Sequence, residues 1–153
     1  MSRAVEDAEV DWRLRAEVYR QFADRGRAPT ADELAVALGA DSDAIQDGLA
    51  RLHDRHALLL DPADRSIRMA NPFSAVPTSF RVQVGTSRYW ANCAWDALGI
   101  PAALHADADI DATYGDDGAP VAIAIDGGAL RGGGGVVHFP LPVARWYDDL
   151  IET

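Results

Sequence analysis

The single cysteine of the chain, Cys93, lies three residues before Asp96 in the segment RYWANCAWDALGIP (88–101). Residues three apart on a helix share one face, so this spacing predicts a thiol beside a carboxyl group. The carboxylate charge and apolar burial both disfavour a thiolate, which favours a protonated Asp96 or a proton shared by the pair. Such a pair can transfer protons while sulfur attacks or binds a soft centre. The alternative, which is more frequent for free cysteines, is a buried apolar Cys93 beside a solvated Asp96.

Aromatic and glycine-rich segments surround this pair in the sequence. Trp90 and Trp95 flank Cys93, and their spacing predicts core positions with one ring lining a pocket. The glycine run 132–135 lacks the Lys-Ser/Thr of a phosphate-binding loop, so we expect a mobile loop beside the pocket. The aspartates between 107 and 117 do not have EF-hand spacing and predict a solvated turn. We therefore expect no resident metal and no cofactor.

The first half of the chain, residues 1–72, has the outline of a winged helix-turn-helix. Apolar residues recur at helical spacing from 11 to 25, and Thr30 with Glu33 forms a capping-box pattern for a second helix. Asp41 or Ser42 begins a third helix. A short strand, a turn at 61–64 and a return strand through Ile67 would then form the wing.

The second half, residues 79–153, should form a small mixed or antiparallel sheet that carries the Cys93 helix, which gives an α+β fold. We expect a connector at 71–80, a strand at 80–84 and a turn at Gly85-Thr86 leading directly into the helix, which would stop at Pro101. Two strands should surround the turn at 115–118. A flexible segment at 127–135, a final strand at 136–142 and a short helix at 143–153 would follow.

Composition restricts the partners. The formal net charge of −10 disfavours nucleic acid and anionic membrane, and the predicted recognition helix has Asp43, Asp47 and Asp54 against only Arg51 and Arg55. A packing role for the winged helix is thus favoured over a winged-helix transcription factor. The lone cysteine, the charged N-terminus and the absence of a long apolar run predict a cytoplasmic protein.

Three segments resemble the organomercurial (alkylmercury) lyase family. The segment YWANCAWDALGIPAAL (89–104) is similar to its active-site helix, and DGAPVAIAI (117–125) and VVHF (136–139) are similar to two of its strands, in the same order. The winged-helix region also fits. Members of this family split a carbon–mercury bond with two cysteine thiolates and an aspartate. The resemblance implies that Cys93 is the first of these cysteines and Asp96 is the aspartate.

The chain departs from the family pattern at several positions. Asn92 replaces a usual aromatic residue, and the second cysteine, expected at about Gly134 or Gly135, is missing. His138 is a candidate substitute ligand, although a histidine in an apolar strand is more often a packed, hydrogen-bonded residue. Further C-terminal chain of the family is nearly absent, so a protein partner or a second copy could complete the pocket wall.

These observations lead to a hypothesis with two alternatives. The chain would be a diverged lyase-like enzyme in which Cys93 and Asp96 cleave or eliminate a bond of a small organic substrate, repurposed for a biosynthetic pathway. Trp90, Trp95 and His138 would contact that substrate. The alternatives are residual organomercurial protonolysis and a non-catalytic protein that binds a soft metal or a small molecule.

Overall fold

The computed structural model describes residues 3–148 and has the α+β fold that the sequence predicts. One sheet of eight strands, with every neighbouring pair antiparallel, has the order β1-β2-β3-β5-β4-β6-β7-β8. The helices are α1 (Arg3–Arg25), α2 (Ala31–Leu38), α3 (Ser42–Asp54) and α4 (Ala94–Leu104), and a 3-10 helix spans Val143–Asp148. The strands are β1 (Leu59–Leu60), β2 (Ile67–Ala70), β3 (Phe73–Ser74), β4 (Arg81–Val84), β5 (Ser87–Ala91), β6 (Ala108–Thr113), β7 (Pro120–Asp126) and β8 (Ala129–Gly132).

The caps of the N-terminal helices are those that the sequence predicts. The Thr30 hydroxyl accepts a hydrogen bond from the Glu33 backbone N–H at 3.2 Å, and the Glu33 carboxylate accepts one from the Thr30 N–H at 2.9 Å. Asp41 caps α3 by accepting from the Asp43 N–H at 2.9 Å. Helix α1 begins earlier than predicted, at Arg3, because the alanine and glutamate residues of its first turns have a high helix propensity.

A buried carboxylate joins α1 to α3. Asp11 is only 2% exposed and accepts hydrogen bonds from Arg51 at 2.6 Å and from Arg55 at 3.2 Å. The two arginines of the predicted recognition helix are therefore engaged by a carboxylate within the chain, in agreement with a packing role for this module.

The segment 71–80 is more than the predicted connector. Phe73 and Ser74 form strand β3, which pairs with β2 on one side and β5 on the other. The Phe73 ring is buried, with ring centroids 5.3 Å from Phe22 of α1 and 5.5 Å from Tyr89 of β5. The prediction was wrong here because Phe73 finds its partners on segments far away in the chain. The sheet consequently runs without a break past the proposed boundary between residues 72 and 79.

The predicted Cys93 helix was wrong at both ends. Ser87–Ala91 forms strand β5, in which Tyr89 and Ala91 are buried at alternate positions, so the aromatic residues follow a strand period. Helix α4 also continues past Pro101 to Leu104. A proline lacks an N–H but keeps its carbonyl, and the Pro101 carbonyl accepts from the Ala106 N–H at 3.1 Å in the C-terminal turn.

The last predicted elements are partly wrong. Strand β8 lies inside the predicted flexible segment, because 129–132 pairs with the edge of β7. Residues 136–142, predicted as a strand, form none; Pro140 and Pro142 lack the N–H that a ladder needs. The predicted C-terminal helix begins as the 3-10 helix, and 149–153 lie outside the described residues. Between residues 3 and 148, no helix combines the length and apolar character needed to cross a bilayer.

Candidate active site

Cys93 and Asp96 meet at the N-terminus of α4. Cys93 is the N-cap residue, with extended backbone angles (φ −149°, ψ 179°), and Asp96 lies in the first helical turn. Their side chains lie close enough for each to shift the pKa of the other. The sequence thus predicted the proximity correctly but assigned the wrong local geometry. An N-cap residue and the residue three positions later approach each other as two residues of a helix do.

The thiol of Cys93 is half-buried and its pKa is raised. Burial is the largest cause, and the charge of the Asp96 carboxylate together with its hydrogen bond acts in the same direction. The backbone amides of Asp96 and Trp95 at the helix N-terminus act in the opposite direction and lower the pKa of the thiol. The net result is a sulfur that keeps its proton at neutral pH until a reaction removes it.

The carboxyl group of Asp96 also holds its proton more strongly than usual. Partial burial raises its pKa, and hydrogen bonds from Asn92 and Cys93 partly offset that rise. No cation of the described residues contributes to this pKa. A carboxyl group with a raised pKa beside a thiol is better suited than an ordinary carboxyl group to receive and return a proton.

Asn92 is a residue of this site to which the sequence analysis assigned no role. Its Nδ2 donates to Asp96 Oδ2 at 3.2 Å, to Asn71 Oδ1 at 2.8 Å and to the Phe73 carbonyl at 3.3 Å. The only sequence signal was a short amide four residues before Asp96, where the family resemblance leads one to expect an aromatic ring.

A cavity of about 480 Å³ lies between α4 and the sheet, next to the pair. Its walls are the α4 residues Ala94, Ala97 and Leu98, inward-facing residues of β6 and β7, and the segment 132–138. No Asp, Glu, Lys or Arg lines it. Cys93 and Asp96 do not line it either; they adjoin its wall at Ala94 and Ala97. The cavity therefore suits a small uncharged molecule.

The three predicted substrate contacts lie in different places. His138 lines the cavity next to α4. Trp95 is 60% exposed and lines an outer groove with Phe139 and Trp146, its ring centroid 6.3 Å from that of Phe139. Trp90 is half-buried on β5 and lines neither space. The structure thus places only His138 in the cavity wall.

The glycine run is held against Tyr114, which lines the same cavity. The Tyr114 hydroxyl donates to the Gly134 carbonyl at 2.6 Å. A Cβ at Gly133 would lie 2.8 Å from Ile123, and one at Gly135 (φ +110°) would lie 3.3 Å from Tyr114. A Cβ at Gly134 would meet nothing within 4 Å, and its φ is not positive. Gly134 is thus the position of these three that accepts a side chain without strain.

In the described part of the chain, no three His, Cys, Asp or Glu side chains lie close enough together to hold a metal ion.

Comparisons with known proteins point to one family. The model of the alkylmercury lyase family, MerB, matches residues 73–150, slightly more than half of the 153 residues. The crystal structure of the mercury-bound form of MerB2 is similar, with 26% sequence identity and a TM-score of 0.66, over 79% of this chain and 58% of that one. The chain thus spans less than two thirds of the length of that protein. The curated proteins include no match.

Proposed function

Since the chain belongs to the alkylmercury lyase family, we propose that it is a diverged lyase in which Cys93 and Asp96 cleave a bond of a small organic substrate. The observation that carries the proposal is the adjacent thiol and carboxyl group at the N-terminus of α4, inside the matched region and next in the chain to residues that line a cavity without Asp, Glu, Lys or Arg side chains. Cys93 is the nucleophile and Asp96 is the proton carrier.

The proposed reaction needs one proton and no oxidant. The sulfur of Cys93 bonds to a soft atom X of the substrate, and its proton passes to Asp96. The X–C bond breaks, the electron pair goes to carbon, and Asp96 delivers the proton there. The S–H and X–C bonds are replaced by S–X and C–H bonds, and the soft atom leaves on an external thiol.

The missing second thiol favours a substrate other than a mercurial. Mercury(II) is soft and prefers two thiolates, so a single Cys93 holds it less well. His138, the suggested substitute, lines the cavity. An uncharged organic metabolite fits the apolar walls, and a role in a biosynthetic pathway follows as the proposed use. A completing partner or second copy stays a prediction.

Protonolysis of phenylmercury, followed by the release of benzene, tests the proposal. We expect slow turnover by the wild-type protein and none by Cys93→Ser. Gly134→Cys should raise the rate by about tenfold, equivalent to ~1.4 kcal/mol of transition-state stabilisation, because it supplies a second thiol in the cavity wall.

Gly135→Cys is the matched control, since its side chain would contact Tyr114 and its backbone would be strained. It should give no comparable gain. Equal rates for wild type and Cys93→Ser would refute the assignment of the nucleophile. Wild-type turnover as fast as that of Gly134→Cys would show that a second thiol is unimportant.

A binding protein without turnover is the second candidate, and the cavity favours it because neither Cys93 nor Asp96 lines its wall. Calorimetry with phenylmercury separates the two: binding by the wild-type protein that is lost in Cys93→Ser, without any benzene release, supports this candidate.

A further inference from the structure

Asn92 connects the Cys93–Asp96 pair to the N-terminal module. Its Nδ2 lies 3.2 Å from Asp96 Oδ2, and it is the residue next to Cys93 in the chain. We infer that Asn92 is a positioning residue that holds the Asp96 carboxyl group against the Cys93 thiol. The inference rests on the proposed function, because it assigns a role within the same pair.

The orientation of the Asn92 amide follows from its other contacts. The Phe73 carbonyl can only accept a hydrogen bond, so the group that faces it at 3.3 Å must be the NH₂ of Asn92. The Asn71 Oδ1, at 2.8 Å, takes a second bond from the same nitrogen. A flipped amide would place oxygen against the Phe73 carbonyl. Asn92 therefore presents its NH₂ group to Asp96 as well, and its two hydrogens are shared among three acceptor oxygens, of which Asp96 Oδ2 is one.

This orientation has a cost at the opposite end of the amide. Asn92 Oδ1 is buried and has no hydrogen-bond partner among the described residues. An unpaired buried carbonyl is costly, so the contacts of Nδ2 with its three acceptors must outweigh that cost.

The anchoring groups lie at the β2–β3 turn. Asn71 lies in this turn at the end of the N-terminal module, Phe73 begins β3 directly after it, and the hydroxyl of Tyr19 in α1 donates to the Asn71 carbonyl at 3.0 Å. A path of hydrogen bonds thus runs from α1 through the turn to Asn92 and Asp96. This gives the winged-helix region a role at the site that requires no nucleic acid.

Alkylation of the thiol by iodoacetamide tests the inference without any substrate. The chain has one cysteine, so the rate reports Cys93 alone. Asp96 opposes the thiolate only while its carboxylate is held beside the sulfur. In Asn92→Leu the carboxyl group is released or protonated, so the thiol pKa should fall and the alkylation rate at pH 7 should rise by about threefold. Asp96→Asn removes the carboxylate charge altogether, so its alkylation rate shows the direction in which the rate of Asn92→Leu should change.

Asn71→Asp is the conservative control. The new carboxylate keeps an acceptor for Asn92 Nδ2. Its added negative charge should raise the thiol pKa and slow alkylation, which is the opposite of the change expected for Asn92→Leu. If folded Asn92→Leu were alkylated at the wild-type rate, the inference would be overturned. The same holds if Asn71→Asp were alkylated as fast as Asn92→Leu.

A measurement on the unmodified protein covers the case in which Asn92→Leu does not fold. The side-chain NH₂ resonances of Asn92 should titrate together with the Asp96 carboxyl group in NMR spectra, because one donates to the other. Resonances that do not change with pH would refute the contact. Absence of turnover on phenylmercury would count against the proposed function and would leave both of these results unaffected.

Discussion

At the scale of single residues, the pair combines two groups that both hold protons more strongly than usual. Burial is the main cause for Cys93 and for Asp96 alike, and the remaining causes are contacts within one turn of chain. The thiol therefore needs a neighbour that accepts its proton during the reaction, and Asp96 is in place to do so. The amide of Asn92 keeps that neighbour within reach.

The raised pKa of Asp96 predicts a pH-dependent stability. Because the folded state binds this proton more tightly than the unfolded chain, the group's favourable contribution is complete below the unfolded pKa and is lost as the pH rises through the folded pKa. Asp96→Asn should therefore melt at a higher temperature than wild type at pH 7. The difference should shrink as the pH is lowered, in thermal unfolding followed by circular dichroism.

Asp109→Asn is the control for this experiment. It removes one negative charge from an exposed position of β6 in the same acidic protein. The increase in melting temperature of Asp96→Asn should not be the same at every pH, and it should not equal that of Asp109→Asn. Either result would show that the increase does not come from the raised pKa of Asp96.

At the scale of elements, α4 begins at an unusual residue. Serine, threonine, aspartate and asparagine are the favoured N-cap residues, and Cys93 makes no side-chain capping hydrogen bond. The α2 and α3 helices, in contrast, have Thr30 and Asp41 at this position. The lack of a capping hydrogen bond at Cys93 lowers the stability of α4. Such a loss is expected where a residue is kept for its function at the expense of stability.

Cys93→Ser should accordingly stabilise the protein while it removes the thiol chemistry. A serine hydroxyl can accept from the first-turn amides, which is worth about 1 kcal/mol in the free energy of unfolding. Urea titration measures the change. Cys93→Ala, which removes the sulfur without supplying a cap, is the control; the two variants would be equally stable if capping at this position had no effect.

At the scale of the whole molecule, one sheet and one apolar core span both halves. Phe73 packs between Phe22 of α1 and Tyr89 of β5, and buried residues of α1 to α3 belong to the same cluster as those of β4, β6 and α4. The two halves therefore share the interior that keeps the Cys93 helix in place.

Phe73→Ala should lower the free energy of unfolding by about 3 kcal/mol, because it leaves a cavity in this shared core. The wild-type protein and the variant should each unfold in a single transition, with circular dichroism and tryptophan fluorescence coinciding. Phe139→Ala, at a position that is 40% exposed, should have a much smaller effect. Two separate transitions would show that the halves fold independently.

The local features of this protein could be predicted from its sequence. The capping box of Thr30 and Glu33, the Asp41 cap and the hairpin turns depend on hydrogen bonds between residues two to four apart. The proximity of Cys93 and Asp96 belongs to this class as well, because three residues at a helix start span the same distance as one helical turn. The sequence was therefore sufficient for these features even where the element around them was misassigned.

Contacts between distant segments were decided only by the tertiary structure. The strand character of β5 and β3 depends on partners elsewhere in the chain, and 21 residues separate Asn71 from Asn92. Likewise, the positions of Ile123 and Tyr114 decide that Gly134, in contrast to Gly133 and Gly135, has room for a side chain. Such contacts form only when the strands pair and the sheet packs against the helices. The periodicity of a single segment does not contain this information.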